Sequence, residues 1–247
     1  MSLYRQFMNK IFDNVFDLLF PKFCLGCNKE GEWLCETCQA EIVPVITQIC
    51  PGCKRISKAG RFCKKCRKRV SLNGVLVGAY FDEGPIKELI HNLKYNSVPE
   101  LAKILGSLSA DNLEQNLNFL GKDPLIIPVP LHFLRRAKRG YNQSELLADV
   151  IAAKINLPKN FKILKKIRKT KPQVLTDSKK RRKNVLNSFK IINKKGAKGA
   201  NDAKGVCGKT VILIDDVLTT GATLNECARA LKEAGAKKVW GLVVARG

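Results

Sequence analysis

A chain of 247 residues with 45 Lys and Arg against 21 Asp and Glu carries a formal net charge of +24. That length accommodates one α/β domain and a small accessory unit, and a 45% hydrophobic content excludes wholesale disorder. No run of about eighteen apolar residues occurs, which excludes an ordinary membrane-spanning helix, and so large a basic excess points to polyanionic partners.

Leu3, Phe7, Ile11, Val15 and Leu18 form one helical stripe in the first twenty residues. Arg5, Lys10, Asp13 and Asp17 interrupt the apolar positions, and no small-residue cleavage site follows, unlike a secretory signal. The expectation is an amphipathic helix over 1–20 that docks on its own protein, because its charges are balanced rather than lipid-seeking.

Four C-x-x-C pairs follow, formed by Cys24, Cys27, Cys35, Cys38, Cys50, Cys53, Cys63 and Cys66. Each pair points two sulfurs at one spot, and two pairs complete a tetrahedral Zn²⁺ site. Without an export signal the expected compartment is the reducing cytoplasm, where metal is favoured over disulfides. These residues are therefore expected to hold two structural Zn²⁺ ions in a domain over 21–70, whose folding energy comes largely from the metals. CLGCNKEGEWLCETC and CPGCKRISKAGRFCKKC look like duplicates. Proximity favours sequential pairing, and an interleaved arrangement stays open. Gly26 and Gly52 are read as letting the backbone turn tightly around the metal.

From residue 71 strand and helix patterns alternate. VLVGAYF (75–81) reads as a strand, PIKELIHNLKY and LAKILGSLSADNL as helices, and LIIPVP (125–130) as an apolar run stopped by its prolines. HFLRRAKRGYNQ reads as a loop with Arg135, Arg136, Lys138 and Arg139, and SELLADVIAAKI as an amphipathic helix. His91 and His132, the two histidines, read as ordinary packed or exposed residues. Residues 159–195 hold fifteen Lys or Arg against the single acid Asp177, and RFCKKCRKR at 61–69 holds six, a clustering that suits polyanion contact. Residues 194–208 read as a Gly/Lys-rich loop. In VILIDDVLTTGAT (211–223) an apolar strand ends on Asp215 and Asp216, then passes through a small polar loop into the helix TLNECARALKEAG. KVWGLVVAR closes the sheet.

A helix N-terminus behind a small-residue loop is an anion site, whereas paired carboxylates suit hydroxyls or a water-bound Mg²⁺. A ribose phosphate satisfies both; a plain strand-to-helix turn with solvated acids is the alternative. The absence of G-x-x-x-x-G-K-[ST] argues against a P-loop nucleotidase.

The string VILIDDVLTTGAT resembles the phosphoribosyl-pyrophosphate (PRPP) motif of type I phosphoribosyltransferases. The resemblance implies an α/β fold with a parallel sheet over 71–247, behind the four-cysteine zinc-binding domain. It implies Asp215 and Asp216 on the ribose 2′- and 3′-hydroxyls, Thr219, Thr220, Gly221, Ala222 and Thr223 around the 5′-phosphate, and Mg²⁺ bound with PRPP. Arg135, Arg139, Arg168 and Arg182 are candidates to meet pyrophosphate or another polyanion. LLFPKFC, AYF…IKELIHNLKY, PVPLHFLRRAKRGYNQ and RKTKPQVLTDSKKRRKNVLNSF, with T-x-x-Q at 170–173, extend the resemblance along almost the whole chain. Together they are similar to the ComF family of competence-associated, phosphoribosyltransferase-like proteins. That family implies a cytoplasmic protein of natural transformation that handles single-stranded DNA, often with a helicase partner, and binds PRPP or ribose 5-phosphate. The 194–208 insert departs from a minimal member. No residue stands out as a general base, and the hood that recognises an acceptor is not identifiable. An active PRPP-dependent transferase with an unknown acceptor is the alternative, and a purely structural zinc adaptor is disfavoured by the complete acid-and-loop motif.

Overall fold

The computed structural model describes residues 21–169, 183–192 and 205–247. The helix expected over 1–20, the T-x-x-Q at 170–173, Arg182 and most of the 194–208 insert lie outside them. The elements in chain order are α1 (Glu36–Ala40), α2 (Lys64–Arg67), β1 (Gly74–Tyr80), α3 (Ile86–Tyr95), α4 (Leu101–Leu120) and β2 (Pro124–Pro128). Then come α5 (Phe133–Arg139), α6 (Gln143–Lys154), β3 (Leu164–Lys166), β4 (Phe189–Ile191), β5 (Thr210–Leu218), α7 (Ala222–Glu233) and β6 (Lys238–Arg246). Four strands form one sheet in the order β1-β6-β5-β2, with every neighbouring pair parallel. β3 and β4 form a separate antiparallel pair.

Parallel strands covered on both faces read as unbroken aliphatic runs, and alternate residues of β5 serve different layers. Ile212 and Ile214 pack with Leu89 of α3, Leu105 of α4 and Leu147 of α6. Val211 and Leu213 pack instead with Leu231 of α7 and Phe189 of β4. The sheet therefore lies between a three-helix layer and a layer made of α7 and the β3–β4 pair.

The 21–70 segment has no separate core. Leu34, Cys38 and Ile42 belong to the same buried cluster as Leu76, Leu89 and Trp240, and Trp33 Nε1 donates to Glu100 Oε2 at 2.6 Å. The segment also closes the outer edge of β1, where unpaired backbone groups would otherwise invite another strand. Val45 N–H donates to Gly78 O at 2.9 Å. The buried side chain of Gln48 then acts as a stretch of strand, its Nε2 donating to Val77 O at 2.9 Å and its Oε1 accepting from Val77 N at 3.0 Å. Gly60 lies so close to β1 that a Cβ there would stand 1.9 Å from Val75 O.

Two expectations are corrected. Phe133–Arg139 is a helix rather than a loop, because His132 Nδ1 caps its start by accepting from Leu134 N and Gly140, at φ 85°, ends it in the left-handed conformation. And β5 does not stop at the acids: its ladder with β6 continues through Asp215↔Val243 and Val217↔Ala245 to Leu218. What stops is β2, at Pro128 opposite Ile214. The acids thus occupy the first part of β5 that has a strand on one side only, at the carboxyl end of the sheet where open α/β folds bind ligands.

Candidate functional site

Two metal-binding clusters come first in the chain. The sulfurs of Cys24, Cys27, Cys35 and Cys38 lie within 4.8 Å of one another, as do those of Cys50, Cys53, Cys63 and Cys66. The ligands therefore pair sequentially. Cys24–Cys35 and Cys27–Cys35 sulfur separations are 3.6 Å, and Cys53–Cys63 is 3.8 Å. Four thiolates about 2.3 Å from a tetrahedral Zn²⁺ stand about 3.8 Å apart, so the donor sets fit that ion. The knuckles are built alike. Cys24 N donates to Lys29 O at 2.8 Å and Cys50 N to Arg55 O at 2.7 Å, with Asn28 and Lys54 both at φ 62°. These two residues, rather than the glycines, take the left-handed conformation. The glycines are needed for space: a Cβ on Gly26 would lie 2.6 Å from Cys38 Sγ, and one on Gly52 would lie 2.9 Å from Cys66 Sγ.

Each cluster also contains a thiol drawn towards the thiolate form that metals bind. Burial pushes Cys24 up, but N–H groups of Cys35, Cys27 and Gly26 outweigh it and bring the thiol to about 6. Cys53 is likewise near 6, through the backbone N–H and then the guanidinium of Arg55.

The second site is the acid pair of β5. Asp215 is half-buried, and its Oδ1 accepts from Ser144 Oγ at 3.1 Å and from Asp216 N at 3.0 Å. Burial, followed by the neighbouring Asp216 carboxylate, pushes Asp215 up to about 7, against the opposing pull of Lys94. Asp216 is buried, with its Oδ1 2.8 Å from Lys94 Nζ. Burial lowers the Lys94 amine, but Asp216 attracts its proton more strongly, and the net shift is upward. Lys94 and Ser144 were not legible as site residues. They come from α3 and α6, and the stretch before Ser144 explains how it is held. Tyr141 OH donates to Leu93 O at 2.6 Å, Asn142 Nδ2 to Val129 O at 3.1 Å, and Asn142 Oδ1 accepts from Ser144 N at 3.2 Å. The sequence Arg-Gly-Tyr-Asn-Gln-Ser is thus a bracket fastened to α3, to the end of β2 and to the first turn of α6.

Next to the acids, Thr219 is exposed and Thr220 to Thr223 are half-buried. Gly221 caps α7 at φ 69° without a side-chain hydrogen bond. The first N–H groups of a helix lack intrahelical partners and carry the positive end of its dipole, so this turn can receive a phosphate. Ala222 N donates to Thr220 Oγ1 at 3.4 Å.

The sequence-derived cations separate. Arg135 lies in a cationic group with Lys166 and His132: burial lowers the Lys166 amine, Arg135 lowers it further, and Asp215 opposes. Burial, then Lys166, Lys169 and Arg135, lower buried His132. Arg139 donates to Gln143 Oε1 and lies 5.5 Å from the Tyr95 ring centroid. The Arg168 guanidinium donates to Leu186 O at 2.7 Å and Asn184 O at 3.1 Å, tying β3 to the segment before β4. Arg182 lies outside the described residues.

Basic segments flank α7. On one side Ser71 N donates to Asn225 Oδ1 at 2.7 Å, and Arg67 adds to burial in lowering the Lys232 amine. On the other, Asn187 N donates to buried Glu226 Oε1 at 2.7 Å and Arg229 reaches Asn187 Oδ1 at 2.9 Å. Ser71, just past the basic stretch 61–69, and Asn187, within the described part of 159–195, therefore both bond side chains of α7.

The model of the phosphoribosyl transferase domain matches residues 97–246, and that of the double zinc ribbon domain matches residues 15–67. Competence protein F of Haemophilus influenzae is 28% identical over 228 residues, covering 84% of this chain and 95% of that protein. DNA utilization protein YhgH of Escherichia coli O157:H7 is 27% identical, covering 90% and 96% respectively. Competence protein ComFC of Bacillus subtilis is 29% identical, covering 84% and 81%. Among the described residues no helix is long and apolar enough to cross a membrane.

Proposed function

The chain belongs to the phosphoribosyl transferase domain family, as a ComF member with an α/β fold of the type I phosphoribosyltransferase kind behind a double zinc ribbon, and from that premise we propose that it is a DNA-handling factor of natural transformation which binds a ribose-phosphate ligand of the PRPP type and single-stranded DNA. The observation that carries the reading is the position of Asp215 and Asp216, at the open side of β5 and a few residues before the turn that starts α7. Carboxylates there suit sugar hydroxyls, and the turn suits a 5′-phosphate. Basic segments on both sides of α7 suit a nucleic-acid backbone, and the names of the relatives, competence and DNA utilization, point the same way. The organisation carried forward from the sequence is a helix over 1–20, a zinc unit over 21–70 and a transferase-like unit over 71–247, in a cytoplasmic protein with a DNA-uptake helicase as a partner. Two Zn²⁺ ions would be structural, since four sulfurs leave no position for water.

Turnover is the second reading. The mutual influence of Arg135, Lys166 and Lys169 around His132 supports this reading, since clustered cations suit the charge that pyrophosphate acquires as it leaves C1, with Arg139, Arg168 and Arg182 as further candidates. Mg²⁺ would enter with PRPP. Two measurements test the pair of readings. Calorimetry should detect PRPP and ribose 5-phosphate binding to the zinc-loaded protein in Mg²⁺, with a marked loss in Asp215→Asn/Asp216→Asn; no binding by the unaltered protein sinks the ligand reading. Pyrophosphate release from PRPP, with and without nucleobases and DNA, decides between binder and enzyme.

A further inference from the structure

Adjacent carboxylates repel, and in a buried site one of them tends to take up a proton. An acid pair that reads hydroxyls therefore needs something to keep both groups oriented and at least one charged. Here each acid has one oxygen secured by a donor from another element. Ser144 Oγ and Asp216 N–H both bond Asp215 Oδ1, and Lys94 Nζ bonds Asp216 Oδ1. The remaining oxygen of Asp216, Oδ2, is enclosed with no hydrogen-bond partner among the described residues. An enclosed acceptor without a donor is costly, so the arrangement is completed when a donor arrives. Lys94, whose side chain is 21% exposed against 7% for Asp216, is the part of the ion pair nearer to solvent, and a ligand would enter beside it.

We propose that Lys94 and Ser144 are positioning residues for the acid pair, each fixing one oxygen of an acid so that the other accepts a hydroxyl, and that the discrimination the acids make between ribose and deoxyribose depends on them. The pocket would take a ribose phosphate and reject a deoxyribose phosphate. The inference rests on the ribose-phosphate reading and deepens it. It also separates the two proposed ligands. A DNA backbone has no 2′-hydroxyl and its 3′-oxygen is esterified, so a strand crossing the basic surface leaves this pocket to its own ligand.

The test is calorimetry on the full-length, zinc-loaded protein with ribose 5-phosphate, 2-deoxyribose 5-phosphate and inorganic phosphate. The unaltered protein should prefer ribose 5-phosphate to the deoxy sugar by about tenfold or more, because the deoxy sugar leaves a charged acceptor unpaired. Ser144→Ala and Lys94→Met should each cut that preference to about twofold while leaving phosphate affinity unchanged, and Ser144→Thr and Lys94→Arg should restore most of it. Should Lys94→Met not fold, the double variant Lys94→Met/Asp216→Asn, which removes both charges, should fold and show no preference. Saturating oligothymidylate should leave the affinity for ribose 5-phosphate within about twofold. Equal binding of the two sugars by the unaltered protein overturns the inference while leaving a phosphate site intact. An undiminished preference in Ser144→Ala and Lys94→Met overturns it too. A Lys94→Met loss as large for phosphate as for ribose 5-phosphate would make Lys94 a phosphate contact instead. Binding of none of the three probes defeats the ribose-phosphate reading and this inference with it.

Discussion

At the scale of single residues, the acid pair makes stability depend on pH. Asp215 is raised to about 7 by burial and by Asp216, so between about pH 4 and pH 7 the folded chain holds a proton that the unfolded chain has released. This group's contribution therefore falls as pH rises through that window. Asp215→Asn should raise the melting midpoint at pH 7.5 relative to the parent, and the difference should shrink towards pH 4.5 in a thermal-melt series. A midpoint gain equal at both values would mean the carboxyl titrates normally. Gly26 gives a second expectation. A Cβ 2.6 Å from Cys38 Sγ must displace a metal ligand, so Gly26→Ala should lose zinc to a colorimetric chelator about tenfold faster than the unaltered protein. The two cysteine clusters were readable from spacing, and both acids could be named as candidates from residue type. Lys94 and Ser144 could not, because nothing local to either residue says that it meets an acid on β5; that contact is made by the packing of α3 and α6 on the sheet.

At the scale of elements, the zinc unit is part of the main fold rather than an appendage. Buried Cys24, Cys35 and Cys38 share their cluster with β1 and α3, whereas Cys53 is exposed and Cys63 and Cys66 only partly covered. Cys24→Ser should therefore release one equivalent of zinc and destabilise the whole chain in a single calorimetric transition. A loss of about 3 kcal/mol would lower the midpoint by roughly 6–12 °C. Cys63→Ser should release one equivalent with a smaller shift. Two separate transitions in Cys24→Ser would show that the segments unfold independently. Helix α5 illustrates where pattern reading falls short. Its residues Phe133–Arg139 bury nothing, so no apolar period marks it, and the His132 cap, the Gly140 stop, the Arg136–Glu145 ion pair at 2.8 Å and the contacts of Arg139 with Gln143 and Tyr95 hold it. The long aliphatic strands were legible for the converse reason, since burial on both faces leaves an unbroken signature.

For the whole molecule, the +24 charge bears on the proposed binding of single-stranded DNA. About six phosphate contacts to a single strand would give a slope of log K on log salt of about −4. Arg67→Glu/Lys68→Glu should weaken oligonucleotide binding in fluorescence anisotropy and flatten that slope while leaving affinity at the proposed ribose-phosphate pocket unchanged. An unchanged slope would move the DNA surface elsewhere. Charge clustering was visible in the sequence, but the bonding of Ser71 and Asn187, each beside or within a basic stretch, to one helix depended on the packing of α7 on the sheet. The closure of β1 has its own consequence. The sheet margin is sealed by a side chain, Gln48, on a segment that runs from one zinc cluster to the next. Zinc starvation would then declare itself first as stickiness: once residues 44–48 loosen, β1 offers a bare ladder to the next copy of the chain. Light scattering should rise during slow chelation before ribose-phosphate binding declines, and Gln48→Ala should bring that rise forward. Residues 44–48 would thus guard the sheet margin against self-association for as long as the flanking cysteine clusters keep their metal.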